Sequence, residues 1–286
     1  MVRGTLYGMV TMKVSNDCTD LAVKSFLKHT TLKEKDKFVM IDNDGDWYHN
    51  WNNNQINSCD IIINESLQNT SKNINQLILL AKKNEQNLVF ISNDVIFTPR
   101  WQERIVVNDN TISIPSCNQT HNYGFPDSMS VVDFGSKYGI LNTISHKHFV
   151  TNKSPFERLI MPIYVCRIPY DVFNKVGLLD ESFNVGGEDV DYRIRLLKEG
   201  FDIKYCSAFL LHLNGKSSWN GAESFQQTEE RDKKYIDRFK EKWGEDLANL
   251  CIIKGNPMAT IDKYNLQSLL QEQRFNDMIL EVLNRE

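Results

Sequence analysis

No stretch of this 286-residue chain approaches the roughly twenty apolar residues that a helical membrane span requires. Nor is there an excess of basic charge. The formal net charge is −4, which disfavours a nonspecific binder of phosphate backbones, although a local basic groove remains compatible with it. The six cysteines (18, 59, 117, 166, 206 and 251) are dispersed and form no Cys-x-x-Cys pair. That argues against a zinc ribbon and against a disulfide scaffold, so all six are read as structural. The opening residues, Met1-Val2-Arg3-Gly4-Thr5, lack the apolar core of a secretory signal, and the expectation is a chain that stays in a reducing cytoplasm. Internal repeats are absent as well. Matches to Asn-x-Ser/Thr, such as Asn64-Glu65-Ser66, are expected by chance in so Asn-rich a sequence.

What is present is an alternation of short apolar strands and amphipathic helices. Leu6 to Val14 reads as a first strand, and a helix starting near Asp17 or Thr19 buries Ala22, Val23, Phe26 and Leu27. Phe38 to Ile41 is a second strand and runs into the acidic loop Asp42-Asn43-Asp44-Gly45-Asp46. Asp60 to Ile63 is a third, followed by a helical stripe of Ile74, Leu77, Ile78 and Ala81. Leu88 to Ile91 is a fourth and leads into Ser92-Asn93-Asp94. This is an α/β pattern with a parallel sheet, in which ligands bind outside the carboxyl ends of the strands. Asp42 and Asp94 fall at such ends, although either could serve as an ordinary turn carboxylate.

Further along, Thr111 to Ile114 and Leu159 to Arg167 read as strands. Pro169 can start a short helix that ends before Gly177. The segment from Cys117 to Pro155 has little periodicity and is rich in Gly, Asn, His and aromatics. The densest chemistry lies in Gly186-Gly187-Glu188-Asp189-Val190-Asp191. Three acids open a helix carrying Val190, Ile194 and Leu197, which Gly200 stops. Carboxylates there complement the positive end of a helix dipole, but capping does not need three of them beside two glycines. Arg193, one turn after Asp189, is placed for an i, i+4 ion pair with it. A strand follows at Phe201 to Tyr205, and past Trp219 the sequence turns helical, with a stripe of Tyr235, Ile236, Phe239 and Trp243. Leu266, Leu269, Leu270, Phe275, Ile279 and Leu283 suggest a terminal helix or pair, with Gly255-Asn256-Pro257 as a boundary.

The block from Cys166 to Phe183, containing Arg167, Gly177 and Asp180-Glu181-Ser182-Phe183, resembles family 2 glycosyltransferases. There a comparable run precedes a Glu-Asp-x-Asp segment, here Glu188-Asp189-Val190-Asp191, and then a histidine, here His212 with Gly215 and Ser217 after it. The likeness covers about residues 6 to 219. It implies a GT-A fold, a Rossmann-like α/β architecture with a mostly parallel central sheet flanked by helices. The expected organisation is a GT-A domain over 1–219, with a nucleotide-binding half at 1–104 and an acceptor half at 105–219. A carboxyl-terminal helical extension is expected over 220–286.

The same resemblance implies an inverting transfer from a nucleotide-diphosphate sugar, a UDP-sugar first among them, to an acceptor hydroxyl. Asp42, Asn93, Asp94, Arg167, Gly186 and Gly187 would contact the donor, the two glycines by letting backbone approach the sugar closely. Asp94 and His212 would hold a divalent metal, and Asp189 would be the general base with Glu188 beside it. Ser92 stands where the family has the first acid of its Asp-x-Asp motif, leaving a single protein carboxylate there. Mg²⁺ or Mn²⁺ suits oxygen ligands plus substrate phosphates, and an imidazole ligand favours Mn²⁺.

The acceptor stays open among glycan, lipid-linked sugar and protein. The Lys/Asn/Ile-rich flavour also suits a phage or other viral gene acting in a host cytoplasm. On that reading a hydroxymethylated DNA base becomes an acceptor, with Lys147, Lys153, Arg158 and the basic stretch 231–242 as a local groove. A non-catalytic module that binds a nucleotide-sugar or glycan is the further alternative, motivated by Ser92.

Overall fold

The computed structural model describes residues 3–11, 16–43, 59–117, 165–183, 186–212, 225–253 and 277–285. The aperiodic segment after Cys117, the Gly255-Asn256-Pro257 boundary, Trp219 and Leu266 to Phe275 lie outside the described residues.

Strand β1 (Thr5–Thr11) leads to helix α1 (Asn16–His29), whose Ala22, Val23 and Phe26 are buried as the helical spacing predicts. Strands β2 (Lys37–Asp42) and β3 (Cys59–Ile63) follow. Helix α2 (Thr70–Lys83) starts where Asn69 Oδ1 accepts the Lys72 amide at 2.8 Å, a side-chain cap of the kind asparagine favours. Its Ile74, Leu77, Ile78 and Ala81 all lie in the core. Strand β4 (Asn87–Ser92) is next, then a tight turn into β5 (Val95–Phe97), a short strand too small to show a period in the sequence. After the single-turn helix α3 (Trp101–Arg104) come β6 (Thr111–Cys117) and β7 (Val165–Ile168). Helix α4 (Tyr170–Val176) is entered at Pro169 and left at Gly177, and α5 (Glu188–Lys198) is the acidic helix. Strand β8 runs over Asp202–His212, so the strand expected to stop near Tyr205 continues to the histidine itself.

The eight strands form one sheet in the order β3-β2-β1-β4-β7-β6-β8-β5. β1, β2, β3 and β4 are mutually parallel, and β6 and β8 run in the same sense, while β7 and β5 are antiparallel to their neighbours. The ends of β1, β2, β3, β4, β6 and β8 therefore share one edge of the sheet, its carboxyl edge.

Two apolar cores result. The larger packs both faces of the sheet and includes Phe26, Phe38, Leu77, Phe90, Phe97 and Trp101. The smaller joins Phe183, Val190, Ile194 and Leu197 to Phe239, Leu247, Ala248, Cys251 and Ile279. Phe239 and Leu247 belong to helix α6 (Phe225–Ala248), broken at Gly244, so the carboxyl-terminal helices pack on the back of the acidic helix. The free cysteines Cys59, Cys166, Cys206 and Cys251 are raised well above the ordinary thiol range by burial, in keeping with a structural role. Among the described residues no helix is long and apolar enough to cross a membrane.

Candidate active site

The carboxyl edge collects most of the acids singled out from the sequence. Asp42 ends β2, fully buried, with Thr11 Oγ1 donating to its Oδ1 at 3.4 Å from the end of β1. A buried amide network fixes the next residue. Asn43 Oδ1 accepts from Asn64 Nδ2 at 2.9 Å and from the Gln68 amide at 3.0 Å, and Asn64 Nδ2 also reaches Asn73 Oδ1 at 2.9 Å. These bonds pin the ends of β2 and β3 to the first turn of α2.

The turn between β4 and β5 carries Ser92, Asn93 and Asp94. Asn93 is buried and donates from Nδ2 to Thr19 Oγ1 at 2.7 Å, tying the turn to α1. Ser92 Oγ donates to Asp94 Oδ1 at 2.6 Å. The serine thus holds the neighbouring carboxylate by a short O–H···O⁻ bond. His212, the last residue of β8, brings Nε2 to 3.3 Å from the same Asp94 oxygen. Because β5 pairs with β8 with Val95 opposite His212, the turn at Asp94 and the histidine meet through sheet register.

An Asp oxygen and an imidazole nitrogen converging this way suit a divalent cation of the Mn²⁺ type, with remaining positions left to phosphate oxygens and water. The described residues contain no group of three or more His, Cys, Asp or Glu placed to hold an ion alone. A diphosphate would therefore have to complete any shell.

Asn69, the N-cap of α2, donates from Nδ2 to Glu181 O at 3.3 Å and so ties the segment that leads into α5 to the end of α2 nearest the carboxyl edge. Gly187 is the N-cap of α5 in the left-handed region (φ 84°), and Gly186 also has positive φ (97°). A Cβ on Gly186 would come within 3.0 Å of the Tyr235 ring, and one on Gly187 within 3.2 Å of Phe183. Backbone geometry and packing against α6 thus both require glycine here, independently of any ligand.

Glu188 and Asp189 keep part of their surface open, yet their carboxyl groups sit among protein atoms, and Glu188 Oε2 is shut off from solvent with no hydrogen-bond partner. Burial raises the Glu188 carboxyl, against backbone N–H bonds from Glu188 and Gly186. Burial first, and the Glu188 charge second, push Asp189 up to about 8, while the Val190 N–H bond and the Arg193 charge pull it back. Two enclosed carboxyls in sequence resist simultaneous ionisation, so they behave as a coupled pair. Val190 N–H donates to Asp189 Oδ1 at 2.8 Å.

Asp191 has a different task. Fully buried, it accepts from Arg195 Nε at 3.0 Å, Trp243 Nε1 at 2.9 Å and Lys242 Nζ at 2.6 Å.

Arg167 stands apart from these residues. It lies on β7 opposite Val89, near the start of β4, and donates to Asn108 O at 2.8 Å and Asp109 Oδ1 at 2.9 Å. This is the amino-terminal side of the sheet. The buried guanidinium braces the approach to β6, so the structure does not bring Arg167 to the donor-side residues. Four contributors escaped the sequence reading: Thr11, the Thr19 hydroxyl, the Asn43–Asn64–Asn73 network, and the Lys242–Trp243 pair. None has a local signal, since each acts across a long sequence separation.

The mixed sheet, its helices and the site at one edge define a GT-A fold. Many solved structures share it, two of which follow. A crystal structure of GalNAc-T7 with UDP, GalNAc and Mn²⁺ superposes with a TM-score of 0.56 at 14% identity, covering 96% of this chain and 55% of that one. The mannosyltransferase PcManGT from Pyrobaculum calidifontis, in complex with GDP-Man and Mn²⁺, superposes at 0.51 and 11% identity, covering 99% of this chain and 75% of that one. The chain thus spans about half the length of the first structure. At the sequence level no family and no curated protein matches.

Proposed function

We propose that this chain is a glycosyltransferase that moves a sugar from a nucleotide-diphosphate sugar to an acceptor hydroxyl with inversion, with Asp189 as the general base. The observation that carries this reading is the meeting of Asp94 and His212, 3.3 Å apart, at the carboxyl edge of the sheet, in a chain that also holds the enclosed Glu188–Asp189 pair. The complexes of the two structural neighbours with UDP and GDP-Man, each with Mn²⁺, support the nucleotide-sugar and cation part of this reading, and inversion rests on Asp189 alone.

Asp94 and His212 would hold the cation, which supplies charge neutralisation for the departing diphosphate. Asp42 and the Asn93–Asp94 turn line the edge where the nucleotide binds. In the transfer an acceptor oxygen bonds to the anomeric carbon as the carbon–oxygen bond to the diphosphate breaks. The diphosphate leaves with the electron pair, and the acceptor's proton passes to Asp189. A base with its pKa raised toward neutrality suits that task, because it is strong enough to take the proton and still partly ionised at working pH. Glu188 supports the pair, its charge helping to raise the Asp189 carboxyl.

A panel of UDP- and GDP-sugars incubated with the protein and Mn²⁺, followed by nucleotide release, tests the reading. Absence of both turnover and binding for every donor refutes it. The anomeric configuration of the product, read by NMR, tests inversion, and a retained configuration removes Asp189 from the role of base. The acceptor classes are glycan, lipid-linked sugar and protein, with DNA as a further arm. Salt-sensitive retention on DNA would favour the nucleic-acid arm. A binding-only module is the second reading, favoured by Ser92 in place of a second acid. It predicts donor binding with Mn²⁺, no release, and no change in Asp189→Asn.

A further inference from the structure

The Lys242 ammonium occupies a singular place. Its Nζ is 2.6 Å from Asp191 Oδ1 and 2.6 Å from Asp180 Oδ2. Those two carboxylates flank the segment that contains Gly186, Gly187, Glu188 and Asp189. One side chain on α6 therefore closes both ends of the loop that delivers the proposed base.

Further contacts support the same clamp. The Asp191 amide donates to Gly187 O at 2.9 Å, so the Asp191 carboxylate and the N-cap belong to one rigid turn. Trp243 Nε1 adds a bond to Asp191, and Arg238 Nε donates to Ser182 Oγ at 2.8 Å. The Tyr235 ring backs Gly186 and Gly187, and Phe239 meets Phe183 at 6.2 Å between centroids. On the other side, α2 grips the start of the same segment. Asn75 Nδ2 donates to Leu179 O at 3.0 Å and to Glu181 Oε1 at 2.9 Å, and Asn75 Oδ1 accepts the Leu179 amide at 2.8 Å.

We propose that Lys242 is a positioning residue for the Glu188–Asp189 turn, so that helix α6 belongs to the catalytic apparatus. The third acid of the motif, Asp191, is the anchor through which it acts. The inference rests on Asp189 as the base, but its structural half does not. Lys242 stands over the Phe183 and Trp243 rings of the smaller core, each at 5.7 Å, and its side chain is 25% exposed. Removing its charge spares the sheet.

The test uses the full chain with Lys242→Met, Lys242→Arg and Trp243→Phe, the last keeping an aromatic ring while deleting the donor. Amide hydrogen exchange in the ligand-free protein reads the turn directly. Lys242→Met speeds exchange at 188–192 about tenfold, Trp243→Phe acts in the same direction and less, and Lys242→Arg stays near wild type. Unchanged exchange in Lys242→Met overturns the proposal whether or not any donor is turned over. On a donor that turns over, Lys242→Met lowers kcat about ten- to a hundredfold with donor KM within about twofold, as expected for a displaced catalytic group. Unchanged kcat, a rise in donor KM alone, or no recovery in Lys242→Arg overturns it. The control Arg3→Met breaks the exposed Arg3–Asp171 pair and leaves both readouts alone. If faster exchange in Lys242→Met is accompanied by full activity in Asp189→Asn, the clamp stands and the base assignment falls.

Discussion

Replacing Asp189 by Asn should make the protein more stable at alkaline pH while removing its activity. Asp189 has a folded pKa raised from 3.8 to about 8, by burial first and by the Glu188 charge second. A raised folded pKa means that stability is fully present below the unfolded value and falls as pH rises toward the folded one. The wild type therefore loses stability between about pH 4 and pH 8, because the unfolded carboxyl ionises freely while the folded one must ionise in an enclosed site. At about 1.4 kcal/mol per tenfold change in proton affinity, the whole displacement would be worth about 6 kcal/mol. Glu188 shares that cost, and the pair keeps part of its surface open to water. We therefore expect about 2 kcal/mol between pH 5 and pH 9.

Asparagine does not titrate and matches the carboxylate in shape. Urea unfolding of Asp189→Asn at pH 5, 7 and 9 should show a decline about 2 kcal/mol smaller than in the wild type. A residual slope from Glu188 should remain, since burial is the main cause of its shift as well. Sugar transfer in the same variant should fall about 10²- to 10⁴-fold, with donor affinity retained. In the wild type the rate should rise with pH through the region near 8, as the base loses its proton. Parallel stability curves for the two proteins would refute the enclosure of Asp189, and full activity would refute its role as base.

Three other outcomes follow from the geometry. Ser92→Ala removes the 2.6 Å bond that holds Asp94 and should weaken calorimetric binding of UDP or GDP with Mn²⁺ about tenfold; unchanged affinity would deny Ser92 that function. Gly187→Ala should cost about 2 kcal/mol in urea unfolding, because positive φ adds to a 3.2 Å approach to Phe183. Gly200→Ala, with similar φ and nothing within 4 Å, should cost about 1 kcal/mol, and equal costs would mean that packing at Gly187 contributes nothing. Phe239→Ala should cost about 3–5 kcal/mol, and a loss under about 1 kcal/mol would contradict the smaller core.

The strands and helices that carry the sheet were largely visible in the sequence, because burial imposes a period. Val39, Met40 and Ile41 had to be a strand, and Ile74, Leu77, Ile78 and Ala81 had to share one helix face. The residues at strand ends were visible for the same reason, since Asp42 and Asp94 interrupt apolar runs. The three-acid helix start was also legible, although which acid does what was not. The short β5 and the true length of β8 were hidden, because a three-residue strand has no measurable period and β8 continues seven residues beyond Tyr205.

By itself the sequence determined an α/β chain, the order of its elements, and a short set of acids and one histidine able to do chemistry. Which of them meet was decided only by tertiary structure. His212 reaches Asp94 because β5 and β8 pair across a sequence separation of more than a hundred residues, a register no local pattern encodes. Arg167, which the family likeness placed with the donor, instead braces Asn108 and Asp109, because antiparallel β7 carries it toward the other end of the sheet. Asp191 serves α6 rather than a ligand, since Lys242 and Trp243 come to it from a helix beyond the resemblance. Periodicity reports which face of an element is buried. The partner on that face is set by how separate elements pack, and that packing is where this site is made.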